Sequence, residues 1–152
     1  MKYYNSLHSH HRIDNIRHRK ERITSSTAPM LLYYRSVIDV NKQCIVYNSF
    51  MNDNQRCIIS RWRLSNHKLF VETGRYCVPP VPREARKCKM CNIVEDEYHA
   101  IFVCPIFNTI RLTFRCLLNK YKSVQTILDP SFQDAIKVAN LLCEIDSKLA
   151  KR

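Results

Sequence analysis

The sequence predicts a mainly α-helical fold: a small helical domain built around one compact loop, with loops and short extended segments before it. Three observations support this prediction. The chain contains a single glycine, Gly74, so few left-handed turns are available. Apolar residues recur three and four positions apart along its last third. Immediately before that third lies a C-x2-C-x7-H-x4-C array, formed by Cys88, Cys91, His99 and Cys104.

Length and composition indicate one domain with a modest core. The chain has 152 residues, of which 45% are hydrophobic, as is typical of globular proteins. Its formal net charge of +12, from 25 Lys+Arg against 13 Asp+Glu, favours nucleic acid as a partner over a merely solvated basic surface. No apolar run approaches the ~20 residues of a membrane span, and MKYYNSLHSHH lacks the apolar core of a signal peptide.

Residues 1–28 are predicted to be a basic, disordered lead-in. The alternative is a nucleic-acid-binding arm, because five cations lie close together before the polar stretch TSSTAP. These cations are Arg12, Arg17, Arg19, Lys20 and Arg22. His8, His10 and His11 have no further ligands nearby, so no role is assigned to them.

Residues 29–87 are predicted to be a helical, basic segment that ends in a proline-rich connector. The pattern over 30–50 suits either a helix or, at CIVY, a strand. A helix is predicted over 53–64, with Asp53 as its N-cap and Cys57, Ile58 and Trp62 on its apolar face. The connector over 65–87 is expected to be extended or looped. Its prolines, which cannot occupy a helix interior, are Pro79, Pro80 and Pro82.

The array at 88–104 is predicted to be a Cys3His (CCHC) zinc knuckle. Zn²⁺ takes four nitrogen or sulfur ligands in a tetrahedron, and a Cys-x2-Cys pair can present two thiolates from one tight loop. Cys88, Cys91, His99 and Cys104 would fill all four positions. The zinc would therefore be structural, with no open position for water or substrate. The alternative is a chance order of soft ligands in a cysteine-rich chain.

Charged residues flank the array. Three thiolates and one Zn²⁺ leave an excess negative charge, which Lys87 and Lys89 are expected to balance. The acidic cluster at 95–97 is either a solvated or helix-N-terminal turn, or a source of one carboxylate for the ring N–H of His99. A loop this short cannot build its own core, so chelation is expected to unfold residues 88–104.

Helices are predicted over 105–152. Pro105 suits the first turn of a helix that runs to about residue 121. Its apolar face comprises Ile106, Ile110, Phe114, Leu117 and Tyr121. A last helix is predicted to begin at Asp129-Pro130, a cap followed by a first-turn proline. Its apolar positions, expected to pack on the same domain rather than form a coiled-coil seam, are Ala135, Val138, Leu142, Ile145 and Leu149.

The stretch from 56 to 89 is the predicted nucleic-acid-binding region, because cations bind phosphates and exposed aromatic rings can stack on unpaired bases. Its cations are Arg56, Arg61, Arg63, Lys68, Arg75, Arg83, Arg86, Lys87 and Lys89. Trp62, Phe70 and Tyr76 lie among them. Burial in the core is the more ordinary role for such rings, and stacking on bases is the alternative.

The cysteines outside the array do not suggest a disulfide framework, because their number is odd. They are Cys44, Cys57, Cys77, Cys116 and Cys143. Cys116 lies within a helical pattern and is predicted to be a buried free thiol. A reducing compartment is therefore favoured, and the protein is expected to be intracellular, nuclear or cytoplasmic.

Residues 61–111 carry three consecutive motifs: R-L-x2-H-x-L-x2-E-x-G-R-Y, then R-x2-R-x-C-x2-C, then E-D-E-x-H-x4-C-P. The motif positions are Arg63, Leu64, His67, Leu69, Glu72, Gly74, Arg75, Tyr76, Arg83, Arg86, Cys88, Cys91, Glu95, Asp96, Glu97, His99, Cys104 and Pro105. This region resembles the zinc-binding region that closes the reverse transcriptase polyprotein of LINE-like, non-LTR retrotransposons.

The resemblance implies a domain that helps a retroelement protein grip its RNA or target DNA during target-primed reverse transcription. It carries over Cys88, Cys91, His99 and Cys104 as zinc ligands. It does not carry over the parent family's RNA-directed DNA polymerase, because the sequence has no Asp-Asp pair to hold two metal ions. The protein is therefore expected not to be an enzyme. The chain looks like a fragment or decayed copy of such an element.

Two further readings compete with a non-catalytic nucleic-acid-binding module. A zinc-stabilised protein-interaction module would be favoured by an exposed apolar stripe at Leu142, Ile145 and Leu149. A nuclease would use the carboxylates Asp129, Asp134 and Glu144, which also fit ordinary cap and surface positions. His67 is expected to pack or hydrogen-bond near Gly74 rather than to act as a general base.

Overall fold

The computed structural model describes residues 50–151. The predicted lead-in, the ambiguous segment up to residue 49 and Cys44 lie outside this range. Within it the fold is mainly helical, as the sequence predicts, and it contains no strand. The β pairing recorded there is an isolated antiparallel bridge between Lys87 and Val94.

Helix α1 spans Asp53–Arg63, close to the predicted bounds. Its N-cap is Asn52, so the prediction of Asp53 was wrong. The Asn52 side chain accepts the Gln55 N–H at 2.9 Å, and the Asn52 N–H donates to the Gln55 side chain at 3.0 Å. This reciprocal capping box satisfies two N–H groups at the helix end, and Asp53 occupies the first helical turn. Cys57, expected on the apolar face, is exposed.

The connector over 65–87, predicted to be extended or looped, also contains short helical elements. It contains helix α2 at Phe70–Thr73 and 3-10 turns at Gly74–Tyr76 and Arg83–Ala85. The prolines lie outside the helical interiors, as predicted. Gly74 is required for space rather than for a left-handed turn. Its φ is −64°, and a Cβ atom there would lie 2.9 Å from side-chain carbons of Arg86.

Pro105 begins a 3-10 turn at Pro105–Phe107, as expected for a first-turn proline. The helix predicted up to residue 121 follows as two short helices, α3 at Asn108–Thr113 and α4 at Arg115–Lys120, which are separated at Phe114. Of the predicted apolar face, Ile110, Leu117 and Tyr121 are buried.

The last helix does not begin at Asp129-Pro130. A capping box between Ser123 and Thr126 starts helix α5, Val124–Leu128, and Asp129 is the C-cap of that helix. The last helix, α6, spans Ala135–Leu149, with Asp134 at its N-cap position.

Helix α6 is the centre of the core and packs on α1. Ala135, Val138, Leu142 and Ile145 are buried, as predicted for packing on the same domain, and Leu149 is partly buried. Gln55 of α1 donates a hydrogen bond to Asn140 of α6 at 2.9 Å. The same core continues into the loop of the Cys/His array, through Cys88, Ala100, Ile101, Cys104 and Phe107. None of the described helices is long and apolar enough to cross a membrane.

Candidate metal centre

The Cys/His array converges on one point. Cys88, Cys91, His99 and Cys104 each offer a ligand atom, and these four atoms lie within 4.8 Å of one another. The Sγ atom of Cys104 is 3.9 Å from that of Cys88 and 4.0 Å from that of Cys91. An ion with tetrahedral bonds of ~2.3 Å to sulfur needs sulfurs ~3.8 Å apart. The four side chains therefore lie close enough to hold a metal ion.

The Cys-x2-Cys half of the site is a tight turn. The Asn92 N–H donates to the Cys88 carbonyl at 2.9 Å, and the Cys88 N–H donates to the Ile93 carbonyl at 2.8 Å. Asn92 has a φ of 54°, in the left-handed region that asparagine tolerates better than most residues. The Lys87–Val94 bridge closes the base of this turn. The turn places Cys88 and Cys91 side by side.

The His-x4-Cys half is a single wide turn of π-helix, His99–Val103. The turn is preceded by Asp96, whose side chain accepts the His99 N–H at 2.9 Å. The Cys104 N–H closes it by donating to the His99 carbonyl at 2.7 Å. A π-turn spans five residues, so it returns Cys104 to the side of the helix that carries His99. This explains a ligand spacing that an ordinary α-turn would not satisfy.

The thiols of the site differ in acidity. Burial alone would raise the pKa of Cys88, but hydrogen bonds from the backbone of Met90 and Cys91 outweigh it and lower that pKa. Burial raises the pKa of Cys104 to about 12, and the neighbouring Cys88 contributes to the rise. Crowded buried thiols resist ionisation together because each thiolate repels the next. A metal cation bound among them favours ionisation instead, since cysteine binds metals as the thiolate.

Arg111 is a feature of the site that sequence reasoning missed. From helix α3, its guanidinium donates hydrogen bonds to the carbonyls of Ala100, Val103 and Cys104, at the end of the π-turn. Burial lowers the pKa of Arg111, while the charges of Cys104 and Cys91 oppose that shift. The half-buried cation therefore both holds the backbone of the last ligand and offsets negative charge on the sulfurs. From the sequence, Lys87 and Lys89 were expected to balance the negative charge of the thiolates, but both side chains are exposed.

The acidic cluster at 95–97 is not solvated: it fastens residues 88–104, the metal loop, to the neighbouring elements. Asp96 Oδ1 accepts the His99 N–H, and Glu95 Oε2 accepts the Phe70 N–H at 3.0 Å. Glu97 Oε1 lies 2.7 Å from His67 Nε2 in a buried pair. The His67 ring also packs on Trp62, with ring centroids 4.8 Å apart. His67 thus packs and hydrogen-bonds, as expected, but its partner is Glu97.

The nine cations predicted to contact nucleic acid differ in their burial. Arg63 is buried: it donates to the Leu128 carbonyl at 2.8 Å and pairs with Asp129 at 3.1 Å. Arg86 is also buried, and donates to the carbonyls of Val81 and Val71 at 2.7 and 2.6 Å. These two cations hold backbone in place. They do not belong to the exposed basic surface.

Of the other predicted contacts, Arg56, Arg61 and Arg75 are half-buried. Arg56 pairs with Asp53 at 2.9 Å, and Arg75 pairs with Glu72 at 2.7 Å. The exposed members are Lys68, Arg83, Lys87 and Lys89.

The three aromatic rings of this region also differ in their exposure. Trp62 is fully buried in the core, Phe70 is half-buried, and Tyr76 is 73% exposed.

Two of the three candidate nuclease carboxylates have structural contacts, and Glu144 is exposed. Asp129 pairs with Arg63, and Asp134 accepts hydrogen bonds from Lys120 at 2.5 Å and from Tyr121 at 2.9 Å. Leu142 and Ile145, which would favour a protein-interaction module if exposed, are buried.

The described cysteines form no disulfide: Cys57, Cys77, Cys88, Cys91, Cys104, Cys116 and Cys143 are all free. Cys116 is exposed on α4, so the prediction that it is a buried thiol was wrong.

No family model, curated protein or solved structure matches the chain. The fold and the site therefore define a class: a small helical domain with a clustered Cys3His candidate metal centre. The resemblance to the retroelement zinc-binding region stays a prediction.

Proposed function

We propose that the protein is a non-catalytic zinc-binding module of retroelement reverse-transcriptase origin that binds nucleic acid through a basic surface beside its metal loop. The proposal has two parts, a structural zinc ion and a nucleic-acid partner, and each rests on its own observation.

Zinc is supported by the donor set. Three thiolates and one imidazole suit Zn²⁺ and leave no open coordination position, as in structural sites. Calcium and magnesium are disfavoured because they prefer oxygen ligands. Cys88, His99 and Cys104 are buried, so the ion would be shielded from solvent. Arg111 would offset the excess negative charge of this ligand set.

Nucleic acid is supported by the way charges are sorted between the interior and the surface around the metal loop. Glu72, Glu95 and Glu97 are buried, and Asp96 is half-buried, with its side chain accepting the His99 N–H. Among the carboxylates between 56 and 97, Glu84 alone is exposed. Lys68, Arg83, Lys87 and Lys89 are all exposed. The surface thus presents cations to a polyanion while most of the carboxylates are turned into the protein, which is the pattern that phosphate binding requires.

Native mass spectrometry tests the zinc ion, and fluorescence anisotropy with labelled RNA and DNA tests the partner. We expect one Zn²⁺ per chain, lost in Cys91→Ser and retained in Cys116→Ser, a matched control at an exposed thiol outside the site. We expect affinity for nucleic acid to fall as salt is raised, because neutralised phosphates release counterions. The Cys91→Ser protein should also bind less well, since the metal loop carries part of the basic surface.

Each part can fail separately. Zinc retained by Cys91→Ser, or no zinc in the wild-type protein, would refute the metal site. Absence of binding to both RNA and DNA at low salt, or binding that is insensitive to salt, would refute the nucleic-acid partner.

A further inference from the structure

A groove of about 290 Å³ runs beside the metal loop. Two segments form its walls. One is helix α2 with the residues just before it, and contributes Lys68, Phe70 and Thr73; the other is the Cys-x2-Cys turn, and contributes Lys87 and Lys89. Leu149 of α6 and Glu95 complete the lining. Folding therefore brings together three lysines and one aromatic ring. In the sequence they were only members of a longer basic stretch.

The charge of this groove is available to a ligand. No ion pair involves Lys87 or Lys89 among residues 50–151. Lys68 lies 3.5 Å from Asp146, with 46% of its side chain exposed. Asp146 is buried and also lies 4.0 Å from Arg61, so it keeps a cationic partner when the Lys68 ammonium turns towards a phosphate. The one acidic residue of the lining, Glu95, is buried and accepts the Phe70 N–H.

The groove also has an apolar part. Phe70 is half-buried, and Leu149, partly buried, packs against the core beside it. A groove that was only cationic would attract any polyanion. A ring set among lysines can in addition stack on a nucleobase, whose flat face is available only when the base is not stacked within a duplex. The volume lies near the lower end of ligand pockets, ~300 Å³, which suits a single nucleotide unit.

We propose that this groove binds single-stranded nucleic acid, with backbone phosphates on Lys68, Lys87 and Lys89 and a base stacked on Phe70. The inference rests on the proposed function and narrows it to one groove and to single-stranded rather than duplex nucleic acid. Lysine is a point charge rather than a planar fork, and phosphate contacts carry no sequence information. Binding at the groove should therefore depend weakly on base sequence.

The test compares variants of the whole chain by anisotropy, with a labelled oligouridylate and a labelled oligothymidylate of roughly 15 nucleotides and a DNA duplex of the same length. The groove variant is K68Q/K87Q/K89Q. The matched control, K122Q/K137Q/K151Q, removes the same charge from exposed lysines that do not line the groove. Phe70→Leu removes the aromatic face while keeping an apolar side chain of similar size.

We expect the groove variant to lose at least about tenfold in affinity for single strands and to reduce the slope of log affinity against log salt by about 2, as three lost phosphate contacts predict. The control should change affinity by less than about threefold. Phe70→Leu should lose about fivefold or more for single strands and leave duplex binding unchanged. Because Lys87 and Lys89 adjoin Cys88, zinc stoichiometry is measured for each variant. Lys68→Gln, which adjoins no ligand, should alone reduce the salt slope.

Two results would overturn the inference and leave the proposed function standing: equal losses in the groove variant and the control, or a Phe70→Leu protein that binds single strands as the wild type does. A wild-type protein that binds neither single strands nor duplex would overturn both.

Discussion

Replacing His67 by alanine is expected to lower the free energy of unfolding by about 3–5 kcal/mol. His67 Nε2 lies 2.7 Å from Glu97 Oε1, and the side chains are only 0% and 3% exposed. Removing His67 leaves the Glu97 carboxylate with one hydrogen-bond partner fewer in an interior that solvates charge poorly. The ring also packs on Trp62, a contact worth roughly 0.5–1.5 kcal/mol more. The total free energy of unfolding of a domain of this kind is ~5–15 kcal/mol, so the variant should be only marginally folded.

Urea unfolding measures this effect, with the fluorescence of Trp62 as the signal, because it is the single tryptophan of the chain and is fully buried. A double-mutant cycle with Glu97→Gln isolates the pair. In the double variant the residue opposite the missing ring is neutral, so the combined cost should be smaller than the sum of the single costs. Asn66→Ala, at the exposed preceding position, is the control and should stay within about 0.5 kcal/mol of the wild type.

A cost below about 1 kcal/mol for His67→Ala would contradict the reasoning, because that is the size of an exposed contact. Strict additivity in the cycle would contradict it as well, even if the single cost were large. It would show that the loss comes from packing on Trp62 alone and not from the contact with Glu97.

Three further predictions follow from other contacts. Arg111→Gln should weaken metal binding by roughly 10–100-fold in chelator competition, whereas Arg115→Gln, at an exposed position on α4, should not. Gly74→Ala should lower the urea midpoint by the equivalent of about 1–3 kcal/mol, because its Cβ would lie 2.9 Å from Arg86 side-chain carbons; an unchanged midpoint would show that Arg86 moves away freely. The hydrogen bond from Lys120 lowers the pKa of Asp134 from 3.8 to about 2. Its stabilisation should therefore be present above pH 3.8 and lost as the pH falls towards 2, and Asp134→Asn should flatten that part of the stability profile.

The four candidate ligands could be predicted from the sequence because they are close along the chain. Their spacing limits where the side chains can go, whatever the rest of the fold does. The π-turn that joins His99 to Cys104 lies within that spacing. Arg111 was missed for a related reason: it lies outside the array, and only the arrangement of α3 against the end of the π-turn brings its guanidinium to the Cys104 carbonyl.

The contacts that fasten the metal loop could not be predicted, because they join residues far apart. His67 and Glu97 are 30 positions apart, and Glu95 and Phe70 are 25 apart. Residue type alone gives a carboxylate near a metal loop several roles, and the fold selects among them. The same holds for Arg63. Helical periodicity predicts the direction in which its side chain leaves α1, but not that the Leu128 carbonyl of α5 lies within hydrogen-bonding distance there.

The extent of unfolding on chelation depends on whether the metal loop is a separate unit. Its sequence suggests that it is, because a loop of that length has no core of its own. In the structure, however, Cys88 and Cys104 belong to the same buried cluster as Trp62 of α1 and Ile145 of α6. The His67–Glu97 pair and the bond from Phe70 to Glu95 join the loop to α2 and the residues before it. A change that releases the two cysteines therefore exposes core side chains of the helices. In urea unfolding followed by Trp62 fluorescence, a chelator should lower the stability of the whole described domain rather than melt residues 88–104 alone.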